Sequence, residues 1–367
     1  MSDTSVLEPA APAATPEPPA PAKPTIVERL KAVPWLGWVV AVAGAPVIFG
    51  AFVAVKGVNP FTMYADMLAS LTTPAQAETV IIRAVVLVLA GLAVAVPARA
   101  GLLNVGGEGQ IVIGAVCAAG VGLVTDQRLP GVVVLVLMLL AGAVGGALWA
   151  GLAAGLRLTV KVNEAISTLL LNFVALDLML GLIYDPWKDA SGFGQPSSRP
   201  LVDEARLPLF APGSKLNVGL VIAVIAVVAV WWALKKTEWG FRLRVVGGNP
   251  EAARQAGMRV GLLLVSAMLV GGALAGLAGM VHMSGTEFKL RPGMTLNFGY
   301  IGFLVSWLAG HRPLRVAAAA VLLAAIAMAG DSLQINSGLP AASVNVLMAV
   351  VLLVVLGSNL RSRKVTA

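Results

Sequence analysis

Along this 367-residue chain, runs of about 20 residues recur with hardly a charged side chain. That is the length at which an α-helix, rising 1.5 Å per residue, crosses the ~30 Å hydrocarbon core of a bilayer. The runs fall near 35–56, 80–98, 101–124, 131–156, 163–184, 217–234, 261–282, 295–310, 314–330 and 343–357. Charged residues make up 12% of the chain and hydrophobic ones 58%, against roughly 25% and about 45–50% in soluble domains. A sphere of this size could not bury that much apolar surface. The composition therefore excludes a soluble enzyme, a nucleic-acid-binding domain and a disordered scaffold. The fold class it predicts is all-α: a polytopic membrane protein of about ten transmembrane helices, with eight to ten compatible with the pattern. The range arises because the eighth run is short and the second and third nearly touch.

The basic residues test this layout independently. With the N-terminus inside, inner connections hold Lys23, Arg29, Lys31, Arg99, Arg157, Lys161, Lys235, Lys236, Arg242, Arg244, Arg254, Arg259, Arg312, Arg315, Arg361, Arg363 and Lys364. Fewer lie outside, and four of those share one loop. Positive residues resist translocation, so the net charge of +8 reads as a basic cytoplasmic edge, with both termini inside. Residues 1–30 read as a disordered, Ala/Pro-rich cytoplasmic tail without the pattern of a secretory signal. Residues 31–361 form the transmembrane domain and 362–367 a short cytoplasmic tail. The domain includes an extracytoplasmic loop at 185–215 and a strongly basic cytoplasmic loop at 235–260.

Little here suggests covalent chemistry. The single Cys117 allows no intrachain disulfide, and His282 and His311 cannot build a zinc site without several carboxylates nearby. No metal site and no bound cofactor are expected in this chain. The dipeptide Gly-Lys is absent, so the chain has no GxxxxGK[ST] phosphate loop. Gly330-Asp331-Ser332-Leu333 spells a tag found in some hydrolases, but no histidine is placed to serve as its base.

Polar groups inside the apolar runs are more informative. Asn104, Glu108 and Gln110, separated by Gly106, Gly107 and Gly109, fall in the first turns of the third run. A carboxylate at the bilayer centre costs about 2.5–3.5 kcal/mol, so Glu108 must face protein, water or the inner interface. Either a broken helix lines a substrate cavity here, or the polar groups knit helices together. Glu164, Thr168 and Asn172 recur every four residues on one helix face. They form either a path for a polar solute or a stripe facing another subunit. Gly142 and Gly146, Gly151 and Gly155, and Gly272 and Gly276 have the spacing that lets helices pack closely. Most tryptophans sit at span ends, as an interfacial belt requires.

In the inner loop, Asn249 is a good N-cap and Pro250 suits the first helical position. Glu251 lies at the positive end of the helix dipole and Gly257 can end the helix in a left-handed conformation. The spacing predicts a helix of about two turns, either a capped connector or a docking element. Glu251, Ala252, Ala253 and, three residues later, Gly257 resemble the EAA---G loop of ABC importer permeases. GLLNVGGEGQIVIGA at 101–115 and KVNEAISTLLLNFVAL at 161–176 are similar to stretches of the nucleoside branch of the superfamily that carries branched-chain amino acids, simple sugars and nucleosides.

The resemblance implies a transport subunit of a bacterial inner membrane rather than an enzyme, importing nucleosides or, next, simple sugars by alternating access. It implies that ATP and Mg are bound by a partner ATPase, which docks on Asn249, Pro250, Glu251, Ala252, Ala253, Arg254 and Gly257. It also implies a second, different permease chain and an extracytoplasmic substrate-binding lipoprotein, and no nucleic acid. Candidate substrate-path residues are Asn104, Glu108, Gln110, Thr168 and Asn172. A secondary transporter coupled through Glu108 or Asp177 is the rival reading, and a membrane-embedded enzyme a third.

Overall fold

The computed structural model describes residues 34–125, 129–191, 194–295, 297–337, 343, 345–351 and 353. The expected tails at 1–30 and 362–367 lie outside these residues, as does the end of the tenth expected span. The elements in chain order are α1 (Pro34–Val55), α2 (Pro60–Ser70), α3 (Pro74–Arg99), α4 (Gly107–Thr125), α5 (Gly131–Thr159) and α6 (Glu164–Tyr184). There follow α7 (Gly219–Lys236), α8 (Glu238–Gly248), α9 (Pro250–Gln255), α10 (Val260–His282), α11 (Phe298–Leu308) and α12 (Pro313–Ser337). A π-helical turn, Met283–Glu287, continues α10.

Among the described residues, seven helices are long and apolar enough to cross a membrane, and a bent pair raises the number to eight. That pair corrects the first span: Pro46–Val55 turns by 118° into Pro60–Ala69, a helix that the hydropathy alone did not separate. The eighth span is also corrected. Its helix, α11, has 11 residues and reaches only about 16 Å, half a bilayer. The third begins at Gly107 rather than 101, which leaves Asn104 in non-helical backbone before the helix.

Helix α3 is the axis of the bundle, buried from Ala84 through Pro97, with α7, α10, α11 and α12 around it. It runs antiparallel to α12: Arg99 Nη2 donates to the His311 carbonyl at 2.8 Å at one end, and Arg83 pairs with Asp331 at 2.6 Å at the other. Helices α4, α5 and α10 form a second packed group, and its seam is made of glycine. A Cβ on Gly146 would lie 2.7 Å from Gly276 Cα, and one on Gly276 would collide with the Gly142 carbonyl. Gly155, by contrast, has open space beside it, so the small-residue spacing works in one pair of turns and not in the next.

The outer surface is apolar. Val132, Val136, Leu140, Val144, Leu148 and Leu152 of α5 are all exposed. In water so large a patch would aggregate, whereas against lipid tails it is at home. Lys235 lies over the ring of Trp231 at 5.5 Å, which accounts for a tryptophan set deeper than a belt position.

The long loop 185–215 is not a free surface throughout. Its backbone is tied to the segment after α10 by Ser198 N–H to Leu290 O at 2.9 Å, Leu201 N–H to Phe288 O at 2.7 Å and Leu207 N–H to Ser284 O at 3.0 Å. Leu201, Ala205 and Leu207 are buried beneath it.

Replacing Gly276 by valine should therefore cost more than the ~1–3 kcal/mol usual for overpacking, because the obstacle is backbone. The expected result is loss of most of the monodisperse protein in detergent, while Gly155→Ala leaves its yield unchanged; size-exclusion chromatography measures both variants.

Candidate functional site

Helix α3 ends at Arg99, and the chain turns back through residues 100–106 before α4 begins. The amides of Gly101 and Leu102 bond back to Ala98 O and Pro97 O of α3 at 3.2 and 3.1 Å, but those of Leu103 and Val105 reach no carbonyl of α3, and the hydrocarbon of a bilayer supplies no water to take them. The face of α6 does it instead. Leu103 N–H donates to Glu164 Oε1 at 3.2 Å, Val105 N–H to Thr168 Oγ1 at 3.3 Å and Gly109 N–H to Asn172 Oδ1 at 2.8 Å. Two residues of extended chain advance about 6.6 Å and four residues of helix about 6 Å. An acceptor every fourth residue on α6 therefore matches every second amide of the ascending segment, at Leu103 and Val105. Asn163 caps α6 through Ala165 N–H at 2.8 Å, and Arg157 holds the second oxygen of Glu164.

The remaining groups close on one another. Asn104 and Gln110 exchange amide hydrogen bonds at 2.9 Å in both directions, and Asn104 also donates to Ala93 O at 3.2 Å. Asn172 donates to Val105 O at 3.1 Å and to the Tyr300 hydroxyl at 3.2 Å. Asn104, Glu108, Gln110, Thr168 and Asn172 are all buried. The structure brings all five sequence-derived path candidates into one junction, where their polar atoms face protein.

Glu108 is its centre. In the first turn of α4, it lies at the positive end of that helix. Its carboxyl group accepts from the Thr295 hydroxyl and, at 2.8 Å, from Gly299 N–H. Gly299 stands in the first turn of α11, whose own N-cap residue, Asn297, makes no cap bond with its side chain. Glu108 thus caps a second helix from outside it, and two helix N-termini meet at one carboxyl group. The contact is close: a Cβ on Gly107 would lie 3.4 Å from Gly299 Cα, and one on Gly109 2.9 Å from Asn172 Cα. Thr295, Gly299 and Tyr300 were missed by the sequence reading, which treated 295–310 as an ordinary span.

A cavity of about 540 Å³ opens on the other side of the α11 N-terminus. Its wall holds Arg83 of α3, Lys215, Glu287 in the π turn, Arg291 and the rings of Phe288 and Phe298. Glu287 and Arg291 are joined by two hydrogen bonds of 2.6 and 3.0 Å. His282 is buried, contacts the Met294 carbonyl through Nε2 at 2.7 Å and stands edge-on to Phe298. Phe288 is left-handed at φ +59° and Asn297 at +61°, conformations costing about 1–3 kcal/mol each that collect at functional sites. None of these residues was singled out beforehand as a site. The usable signal was the polar interval 283–297 between two apolar runs, with Glu287 and Arg291 four apart.

The opposite end of the bundle carries the basic loop. Asn249 accepts from Glu251 and Ala252 N–H at 3.0 and 3.1 Å, Pro250 takes the first helical position and Gly257 is left-handed at φ +77°. Glu251 pairs with Arg254 at 3.0 Å, and Ala253 is buried against Val246 and Val260. The helix has 6 residues, about 1.7 turns and close to the two expected, and Ala256 and Gly257 form the turn that ends it. A second helix in this loop, α8, is capped by Thr237 and was not foreseen. Its Gly247 packs against the Arg99 carbonyl. His311, half-enclosed nearby, bonds Ser306 Oγ through Nδ1 at 2.9 Å. Burial, with Arg99 adding to it, pushes its pKa down to about 4.

Residues 76–356 match the family model described as branched-chain amino acid transport system / permease component. The chain is similar to the glucose ABC transporter permease protein TsgB13 of Haloferax volcanii, with 36% identity over 343 residues covering 90% of each chain. It is 33% identical over 273 residues to the guanosine ABC transporter permease protein NupP of Bacillus subtilis, covering 74% of this chain and 78% of that one. The nucleoside ABC transporter permease protein NupB of Lactococcus lactis is 28% identical over 305 residues, covering 81% and 83%.

Two outcomes test this geometry. Glu108→Gln keeps the shape but offers one carbonyl oxygen to two donors, so it should lose about 1–3 kcal/mol, read as a lower melting temperature and reduced yield; Thr295→Val should lose less. His311 binds its proton less readily folded than unfolded, so stability should rise with pH between about 4 and 6.5. His311→Gln should flatten that part of the profile in thermal unfolding followed by tryptophan fluorescence.

Proposed function

The chain belongs to the family of branched-chain amino acid transport system permease components, and from that premise we propose that it moves nucleosides across the membrane as one subunit of an ATP-driven importer. It is a multi-pass membrane protein and an ABC permease of the nucleoside and sugar type, a transport component rather than an enzyme. The observation that carries the transport reading is the pair of irregular segments inside the bundle. Residues 100–106 rise from one end and 288–295 descend from the other, and the helices α4 and α11 begin where Glu108 joins them. Interrupted helices of this kind are how transporters form a solute path with irregular backbone shielded from lipid.

Nucleosides as cargo are supported by the relatives NupP and NupB. Glucose is the second reading, supported by the 36% identity to TsgB13 over 90% of both chains.

In this proposal the basic end is cytoplasmic and the Asn249–Gly257 helix receives a separate ATPase, which binds ATP and Mg. Its closure is passed through Gly247 to the Arg99 carbonyl, and so to the segment that α6 holds in place. Asn104, Glu108, Gln110, Thr168 and Asn172 position that segment, and the solute passes beside them as the junction rearranges. A second permease chain completes the pore, and an extracytoplasmic binding protein delivers cargo to the end that carries the 185–215 loop.

The test is uptake of labelled guanosine and of labelled glucose by cells expressing the chain with its neighbouring subunits. Competition by excess unlabelled nucleosides, and not by hexoses, is expected; the reverse would select glucose. Asn249→Ala, which removes the acceptor of two amides and costs about 1 kcal/mol locally, and Glu251→Lys should each abolish most uptake at unchanged membrane level. Full uptake in both would remove the docking role.

A further inference from the structure

The geometry points to the cavity above the α11 N-terminus as a binding site for an uncharged, hydroxyl-bearing ring solute, held by Glu287 and Arg291 and packed against Phe288. The proposal rests on the permease reading and names the place where the cargo first touches this chain.

Charge pairing disfavours an anion as the ligand. Arg291 is joined to Glu287 and Arg83 to Asp331, each at 2.6 Å. Lys215 has the Glu78 carboxylate on its own backbone amide at 2.7 Å and Thr79 Oγ1 on its ammonium at 3.1 Å. A site built for an anion would leave its cations unpaired toward the ligand; here both arginines are paired with carboxylates, and the Lys215 ammonium is held on the Thr79 hydroxyl.

The Glu287–Arg291 pair nevertheless keeps capacity to spare. A carboxylate has about four acceptor positions and a guanidinium five N–H donors. The two bonds between them use Arg291 Nε and Nη2 and one site on each Glu287 oxygen. The outer edge of the pair therefore offers donors and acceptors side by side. A hydroxyl group donates and accepts, so vicinal hydroxyls of a ribose or a hexose match it. Ile82, Phe288 and Phe298 supply the apolar wall that a sugar C–H face or a base requires. Arg206 already lies over Phe288 at 5.0 Å, so the ring is fixed in place. The volume of about 540 Å³ falls in the range of small-molecule sites. The π turn and the left-handed Phe288 are what turn Glu287 and Phe288 into this space.

Thr286 is exposed in the same wall. The test uses cells carrying the whole transport system, with Thr286→Cys in a Cys117→Ala background, and a membrane-impermeant methanethiosulfonate reagent added outside. Labelling is expected, slowed about tenfold by saturating guanosine, uridine, glucose or ribose, whichever is transported, and unaffected by guanosine monophosphate or gluconate. Glu287→Gln should raise the KM for uptake about tenfold, the equivalent of one good hydrogen bond, at unchanged surface level. Absence of labelling, equal protection by the anions, or unslowed labelling while uptake continues would each overturn the site and leave the permease reading intact. Absence of both protection and uptake of all four neutral solutes would overturn the two together.

Discussion

A backbone amide inside a bilayer has no water to turn to, and in this protein the chain between α3 and α4 leaves the helix and bonds only in part to its own backbone. The carboxyl and hydroxyl groups of Glu164 and Thr168 take the amides of Leu103 and Val105, and the amide oxygen of Asn172, one helical turn further on, takes that of Gly109 in the first turn of α4. Everything at mid-depth follows from that arrangement. It sets the level at which α4 begins, and hence the level of Glu108, which in turn caps α11. An unpaired buried amide costs several kcal/mol in such surroundings, so the ladder and the carboxyl cap are conditions for the fold as well as features of a site.

The same junction lies between two surfaces with opposite character. On one side are the basic loop, the Arg99–His311 contact and the packing of Gly247 on the Arg99 carbonyl. On the other are the π turn, two left-handed residues and a cavity with paired charges. The glycine seam of α4, α5 and α10 holds the helices that frame both close enough for backbone to touch backbone. Rigid packing of this kind has few intermediate arrangements, and so favours movement between discrete states.

A permease of the nucleoside and sugar type has to admit neutral, strongly hydrated molecules without leaking ions. The polar groups of this chain suit that demand: those at the junction are satisfied by protein, and the arginines of the cavity are paired with carboxylates. The lipid-facing helices carry almost nothing but aliphatic side chains, which leaves the interior as the place where polar chemistry can be held.

Hydropathy and charge placed the class of fold, most of the long helices and the two long loops, because burial in lipid demands a composition that can be counted residue by residue. The Asn249 cap, the left-handed Gly257 and the four-residue stripe on α6 were legible for the same reason, since each is a local rule of helix geometry. What Asn104, Glu108 and Asn172 bind was not legible. Their partners Ala93, Gly299 and Tyr300 are distant in the chain, and no periodicity reports a contact between remote segments. The half-length α11 was hidden because an apolar run of 16 residues reads alike whether it is one span or a descending segment followed by a short helix. The linear order of residues carries the solvent each stretch prefers and the turns it can make; which unsatisfied amide meets which carboxyl group is a matter of three-dimensional packing, because hydrogen bonds depend on distance in space rather than separation along the chain.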